Sequence, residues 1–184
     1  MKHNTAILAL ALAGGLFSAF SNAAITGTSS LSATFVSTVV PGTCTANVTD
    51  AAGAEATEIK FNDVFKSDLI NKSRTEAFNV VLSNCSGVRT AQVTAMAGAG
   101  GDCSTSTSDN FGATHSTAFE LWNGDVDNGI RLSCKTRQLQ KVVIADGGAS
   151  LAMNARIVIA DDKTIDDVTP GDASSLITFL VEYQ

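Results

Sequence analysis

The sequence has few of the side chains on which most enzymes depend for catalysis. It contains two histidines in 184 residues, His3 and His115. No serine lies in the G-x-S-x-G pattern of a nucleophile elbow, and neither a phosphate-binding loop nor a dinucleotide-binding glycine pattern is present. Carboxylate pairs occur only in segments predicted to be loops, where the sequence indicates no cleft to hold them. These absences argue against an enzyme and predict no cofactor.

Positive charge is also scarce. Lys and Arg number 12 against 18 Asp and Glu, which gives a formal net charge of −6, and the basic residues form no cluster. Nucleic acids and anionic lipids are bound largely through neutralisation of their phosphates, so this chain is a poor candidate for either partner. Long hydrophobic runs are lacking as well, since the longest, Thr5 to Phe20, is shorter than the roughly 20 residues of a membrane span.

That hydrophobic run has the features of a secretion signal. It follows the short cationic start Met1 to Asn4 and leads to Ser21-Asn22-Ala23, which offers small residues at the two positions read by signal peptidase. We expect residues 1–23 to be a signal peptide with cleavage after Ala23, or alternatively after Ala24. All four cysteines lie in the mature part, and an even number in an exported chain predicts two disulfides.

The mature part has the pattern of an all-β protein. It is rich in Thr, Ser, Val, Ala and Gly, and its hydrophobic residues alternate in short runs. Such runs, separated by turn residues such as Asn123-Gly124 and Gly147-Gly148, are typical of a β-sandwich. The predicted strands are Ile59 to Val64, Phe78 to Leu82, Ala91 to Ala95, Ala118 to Trp122, Gln140 to Ala145, Ala152 to Ala160 and Ile177 to Tyr183.

Two segments do not fit a self-contained sandwich. Residues 24–40 precede the first cysteine and open with the flexible stretch 26–30, yet their later side chains alternate, which predicts one buried face. The residues on that face are Leu31, Ala33, Phe35, Ser37 and Val39. The second segment is the chain end, where alternation continues from Ile177 to Tyr183. A final strand in this place is consistent with a sandwich that lacks the strand covering its neighbour.

Four landmarks, in this order and spacing, resemble the subunits of chaperone–usher fimbriae, close to the type 1 pilins. Phe35 lies nine residues before Cys44, as in the family's extension followed by a cysteine. Residues 59–64, Ile-Lys-Phe-Asn-Asp-Val, match its short second strand. Residues 78–85, Phe-Asn-Val-Val-Leu-Ser-Asn-Cys, resemble its F-x-I-x-L-x-x-C strand. The C-terminal landmark consists of Thr169-Pro170-Gly171 and the final residues 179–184, Phe-Leu-Val-Glu-Tyr-Gln.

The resemblance implies an incomplete immunoglobulin-like β-sandwich of six strands, with a seventh supplied by another molecule. Residues 24–40 would be the N-terminal donor-strand extension and residues 41–184 the pilin domain. The donor strand would present Leu31, Ala33, Phe35, Ser37 and Val39 to the groove of the next subunit. The groove would lie beside the last strand, which would also contact a periplasmic chaperone. The residues implied there are Ile177, Phe179, Val181, Tyr183 and Gln184.

The implied function is that of a structural subunit of a bacterial fimbria that polymerises by donor-strand exchange and contributes to cell adhesion. Its implied partners are other fimbrial subunits, a periplasmic chaperone and an outer-membrane usher, and its route leads through the periplasm to the cell surface. The alternative is a single-domain adhesin or tip subunit that binds a host-cell receptor. Whether fibres of this subunit alone bind cells or glycans separates the two hypotheses.

The cysteines both follow and depart from the family pattern. Cys44 and Cys85 match the family's pair, which bridges the first two strands. We expect Cys103 and Cys134 to form a second bridge, which many family members lack. His115 lies between them in sequence, but zinc-ligand spacing is absent, so a disulfide is the preferred interpretation. Ser37 is another departure, because the family usually has glycine there and a hydroxyl needs space and a hydrogen-bond partner.

Two acidic segments could suggest a cation site. Asp125 to Gly129 resembles part of a calcium loop, but Thr136 stands where the loop requires a glutamate. A hairpin turn with Asn128-Gly129 at positive φ explains this segment better. The second segment is predicted to be a solvated loop. Its acidic residues are Asp161, Asp162, Asp166 and Asp167. The sequence therefore predicts no metal site.

Overall fold

The computed structural model of the protein describes residues 33–184. The predicted signal peptide, the first part of the extension and Leu31 lie outside these residues. The chain divides into two units, residues 1–38 and residues 39–184. In the described part of the first unit, residues 33–38 form neither helix nor strand, and Phe35 is 95% exposed. Among the described residues, no helix is long and apolar enough to cross a membrane.

The second unit consists almost entirely of β-strands. It contains nine strands and one helix of six residues. In chain order these elements are β1 Thr43–Asp50, α1 Lys66–Asn71, β2 Thr75–Ser86, β3 Thr90–Ala97, β4 Phe111–Gly112, β5 Thr117–Asn123, β6 Ile130–Leu132, β7 Gln140–Val143, β8 Ala149–Ile159 and β9 Ile177–Tyr183.

The strands form two antiparallel sheets. The larger, six-stranded sheet has the order β1-β2-β8-β5-β4, and β6 pairs with the second half of β5. The smaller, three-stranded sheet has the order β7-β3-β9. The predicted all-β sandwich is confirmed. Its count of nine strands exceeds the six that the resemblance implies, in part because β4 and β6 are additions of two and three residues at the β5 edge.

The core lies between the two sheets and is formed by alternate residues of each strand. On β2, Phe78, Val80 and Leu82 are 4%, 3% and 2% exposed, and Val93 on β3 is 1% exposed. The ring of Phe78 meets that of Phe179 from the opposite sheet, with centroids 6.0 Å apart. Burial of these apolar side chains is the main favourable term in the stability of such a fold.

Residues 59–64 are not a strand, and this prediction was wrong. Their alternation does place Ile59 and Phe61 against the core, and the ring of Phe61 packs on that of Phe119 with centroids 5.2 Å apart. Val64 also packs on the core, but it lies outside the alternation. However, Asn62 adopts a left-handed conformation with φ of 53°, which interrupts an extended strand. The alternation at Ile59 and Phe61 therefore predicted their burial correctly, but it did not predict whether the segment pairs as a strand.

Helix α1 was not predicted. Its first turn is fixed by Asp68, whose carboxylate accepts the main-chain N–H of Phe65 at 2.9 Å. Its C-terminal end is Lys72 in a left-handed conformation, with φ of 50°. Leu69 is buried against the core. At six residues the helix is too short to show a helical period in the sequence.

The turn between β5 and β6 is present, but its geometry differs from the prediction. The Gly129 N–H donates to the carbonyl of Asp125 at 2.6 Å. Positive φ values lie at Gly124 and Asp127, at 85° and 65°, rather than at Asn128-Gly129. Glycine is nevertheless required at position 129, because a Cβ there would overlap the carbonyl oxygen of Asn123.

A buried ion pair joins this turn to the outer face of the larger sheet. The side chains of Arg156 on β8 and Glu120 on β5 are 7% and 5% exposed, and they approach to 2.5 Å. Nη1 and Nη2 of Arg156 also donate to the carboxylate of Asp127, at 2.7 and 2.8 Å. These bonds hold the pKa of Asp127 below its ordinary value, and Asp127 in turn raises the pKa of Arg156. The network ties β5, β8 and the turn together.

We predict that Arg156→Leu lowers the free energy of unfolding by about 3–5 kcal/mol, because the buried Glu120 would lose its nearest counter-charge and the hydrogen bonds that come with it. Urea unfolding followed by the fluorescence of Trp122, the single tryptophan, measures the change. Lys60→Leu is the matched control. Lys60 pairs with Glu58 at 3.7 Å with side chains 75% and 74% exposed, and its loss should cost at most about 1 kcal/mol. Equal effects of the two substitutions would contradict the prediction.

Candidate functional site

The candidate site is the free edge of β9, which we call the acceptor edge. In the described part of the chain β9 pairs with β3 alone and ends the smaller sheet. Its inward residues Ile177, Phe179, Val181 and Tyr183 are only half-buried. By contrast, Val93 of β3, paired with Val181, is 1% exposed. The apolar cover of the core is therefore incomplete at this edge.

The chain end closes one end of the acceptor edge. The hydroxyl of Tyr183 donates to the carbonyl of Cys44 on β1, at 3.1 Å. The main-chain N–H of Gln184 donates to the carbonyl of Thr90 at 2.8 Å, and the main-chain oxygen of Gln184 accepts the N–H groups of Arg89 and Thr90. These bonds fix the last two residues and join the edge strands of the two sheets.

Two disulfides cross-link the second unit. Cys44 is bonded to Cys85, with their Cα atoms 4.1 Å apart, where the register of β1 and β2 shifts next to Cys44. Cys103 is bonded to Cys134, with their Cα atoms 5.5 Å apart, and this bond links the segment before β4 to the segment after β6. The first disulfide therefore holds the edge strand that accepts the Tyr183 hydrogen bond.

The residues assigned to the donor strand have no strand partner in the described part of the chain. Ala33, Phe35, Ser37 and Val39 are all exposed, and Phe35 and Val39 are each 95% exposed. Leu31 lies outside the described residues. The donor role of this segment stays a prediction.

A polar cavity that sequence reasoning missed lies elsewhere on the second unit, beside α1. It measures about 270 Å³, and its charged residues are Lys72, Glu120, Arg131 and Asp161. Glu120 lies within the apolar run Ala118 to Trp122, and a glutamate in such a run is the signal that could have indicated a buried ionic network.

The structure also corrects the prediction of a fully solvated acidic loop. Asp162, Asp166 and Asp167 are exposed, but Asp161 is half-buried. Burial raises the pKa of Asp161, but hydrogen bonds with Ser108, Asn110 and Ser104 outweigh this effect and bring it below its ordinary value. Asp161 is thus a charged, hydrogen-bonded member of the cavity wall.

Comparison with known proteins identifies a relative of similar length. The chain is 30% identical over 190 aligned residues to the uncharacterized fimbrial-like protein YadL of Escherichia coli (strain K12). The alignment covers 94% of this chain and 92% of that protein. No protein-family model matches the chain.

Solved structures share the fold. The P pilus rod subunit PapA matches with a TM-score of 0.54 and 16% identity, over 70% of this chain and 93% of PapA. A structure of a chaperone–usher pilus, concerned with rod uncoiling, matches with a TM-score of 0.55 and 17% identity, over 85% of this chain and 96% of the other. At these identities the likeness concerns the fold.

We predict that Tyr183→Phe lowers the free energy of unfolding by about 1 kcal/mol, because it removes one hydrogen bond and keeps the ring. Tyr183→Ala should cost several kcal/mol more, since the half-buried ring is lost as well. Thermal unfolding of the three proteins in the same assembly state measures both effects. An unchanged stability of Tyr183→Phe would show that the bond to Cys44 contributes nothing.

Proposed function

This chain belongs to the fimbrial subunits, and we propose that it polymerises by donor-strand exchange. Its N-terminal segment fills the acceptor edge of one neighbouring subunit, while its own β9 accepts a strand from another. Strand addition of this kind is an established mode of recognition among pilins and their chaperones. The observation that carries the proposal is that, among residues 33–184, β9 pairs with β3 alone and has a half-buried inner face.

Backbone hydrogen bonding supports this proposal. A strand at the end of a sheet leaves every second N–H and C=O group without a partner in the sheet, and such an edge pairs readily with another extended chain. A donor strand beside β9 would satisfy these groups along its seven residues. Pairing through the main chain explains affinity, whereas specificity must come from the side chains that enter the core.

The donor segment offers suitable side chains for the open core. In an extended conformation Leu31, Phe35 and Val39 share one face with Ala33 and Ser37. Full burial of each of the three large residues contributes roughly 1.5–3 kcal/mol. Their sum, on the order of 5–9 kcal/mol before the cost of ordering the segment, adds to the contribution of the main-chain hydrogen bonds.

An unfilled acceptor edge would be a hazard in the periplasm, because apolar surface and unpaired strand edges promote aggregation. We therefore propose that a periplasmic chaperone covers the same edge until an outer-membrane usher delivers the subunit to the fibre. The contacts proposed for the chaperone are the side chains of Ile177, Phe179, Val181 and Tyr183 and the chain end at Gln184. The inserted strand becomes part of the fold, so its release requires partial unfolding and the joint persists kinetically.

The family and fold are those of a structural subunit that is exported and assembled at the cell surface. Ser37 gives the proposed joint an unusual feature, since its hydroxyl must find a partner when the strand is buried. A pocket that offers an acceptor at this position would favour donors with serine over donors with glycine. Ser37 would then contribute to selectivity among fimbrial subunits, together with the larger side chains of the donor strand.

We predict that deletion of residues 24–40 abolishes fibre growth and leaves the folded body intact. The body, residues 41–184, contains both disulfides and all nine strands, so its folding does not need the donor segment. Electron microscopy of cells expressing the variant measures fibres, and its recovery in complex with a periplasmic chaperone reports folding. Normal fibres built from the deletion variant would refute the donor assignment.

We predict that Phe35→Asp blocks assembly, because a carboxylate in an apolar pocket costs several kcal/mol. Val36→Asp is the matched control: Val36 is adjacent, similarly exposed at 88%, and points to the opposite face of an extended strand. Fibre length in negative-stain micrographs should fall sharply for the first variant and little for the second. Equal fibre lengths for the two variants would contradict the assigned register.

A further inference from the structure

The polar cavity beside α1 is the strongest feature that the fibre function leaves unexplained. It lies between the helix and the outer face of the larger sheet, where β5, β6 and β8 meet. Its volume of about 270 Å³ is at the lower limit of small-molecule sites, which measure about 300–1,000 Å³. The cavity therefore suits a group of about monosaccharide size.

Two cations of the cavity have donor capacity to spare. Lys72 and Arg131 both approach Oε1 of Glu120, at 3.9 and 3.7 Å, which is too far for a hydrogen bond. Their side chains are 57% and 36% exposed. Within residues 33–184 the ammonium group of Lys72 donates no hydrogen bond. Nη2 of Arg131 donates to the side-chain oxygen of Asn110 at 2.6 Å, whereas its buried Nε has no acceptor. An acidic group between them would receive charge-assisted hydrogen bonds from both.

The two carboxylates of the cavity balance the two cations in formal charge, but both carboxylates are also engaged by other groups. Glu120 is already paired with Arg156 at 2.5 Å, and Asp161 accepts hydrogen bonds from Ser108 and from the amide of Asn110. Each carboxylate retains lone pairs that can accept from a hydroxyl. The wall therefore combines donors suited to one acidic group with acceptors suited to neighbouring hydroxyls.

The opposite wall is apolar. Leu69 and Val158 are buried, and Ile70 at the rim is 60% exposed. An exposed isoleucine beside a polar cavity gives a surface on which the C–H face of a sugar ring can pack. Anionic, hydroxyl-rich and partly apolar ligand chemistry is thus matched by the three kinds of surface in the cavity.

We propose that this cavity binds an acidic monosaccharide, with its carboxylate held by Lys72 and Arg131. Its hydroxyls donate to Glu120 and Asp161, and its ring lies against Ile70. The site is formed by residues outside both the acceptor edge and the donor segment, so it does not depend on the donor-strand proposal. It would give the subunit a means to bind acidic glycans.

Saturation-transfer NMR with glucuronate and glucose tests this site. The two sugars share their ring hydroxyls and differ in a carboxylate that replaces a hydroxymethyl group. The mature chain is used in the assembly in which it is purified, so the result is independent of how subunits join. Glucuronate should give a signal well above that of glucose, and the signal should weaken with added salt. Equal signals, or none from glucuronate, would overturn the proposal.

Substitutions locate the binding to the cavity. Lys72→Gln should weaken glucuronate binding roughly tenfold through loss of one charge-assisted hydrogen bond, while Lys72→Arg should retain most of it. The control Lys141→Gln removes an exposed lysine on β7 and should leave binding unchanged. Thermal unfolding of each variant shows whether the fold is intact. Wild-type affinity in Lys72→Gln, or an equal loss in the control, would refute the site.

Discussion

The free edge of β9 is the constraint on which the rest of this molecule depends. The backbone groups along a strand edge need partners, and here the sheet ends at the last strand of the chain. The inner face of that strand reaches the core but does not close it, since Ile177, Phe179 and Val181 remain half-buried. An edge of this kind promotes aggregation when bare and forms a durable joint when a cognate strand fills it. In the function that we propose, chaperone binding and polymerisation would be two ways of satisfying the same backbone groups.

Two disulfides and a buried ion pair stabilise the rest of this incomplete sandwich. An incomplete sandwich buries less apolar surface than a complete one, so cross-links carry a larger share of its stability. The Cys44–Cys85 disulfide holds the outer strand β1 to β2, and the Cys103–Cys134 disulfide encloses β4, β5 and β6. On the outer face, Arg156 connects two strands and a turn through Glu120 and Asp127. The two disulfides and the Arg156 network lie in the part of the chain that must stay folded while the edge of β9 is unpaired.

The features that could be predicted from the sequence are those that produce a local pattern of residues. Period-two alternation located β2, β3, β5, β7, β8 and β9, because a strand with one face toward the core must alternate. It failed at residues 59–64, where the same alternation buries Phe61 without strand pairing and Asn62 turns the backbone left-handed. The polar cavity could not be predicted, since Lys72, Glu120 and Arg131 are brought together from α1, β5 and β6 by tertiary contacts alone. Only the glutamate within an apolar strand gave any local sign of that network.

The way in which the last residue is held has a practical consequence for protein engineering. The main-chain oxygen of Gln184 accepts from Arg89 and Thr90, and the preceding side chain spans to β1. An affinity tag or reporter fused at this position would begin next to these hydrogen bonds and would disturb the edge at which we propose that neighbouring subunits assemble. Residues 51–54, an exposed turn after β1, offer a better insertion point. Foreign epitopes placed there would be displayed in many copies, and the hydrogen bonds of Tyr183 and Gln184 would stay intact.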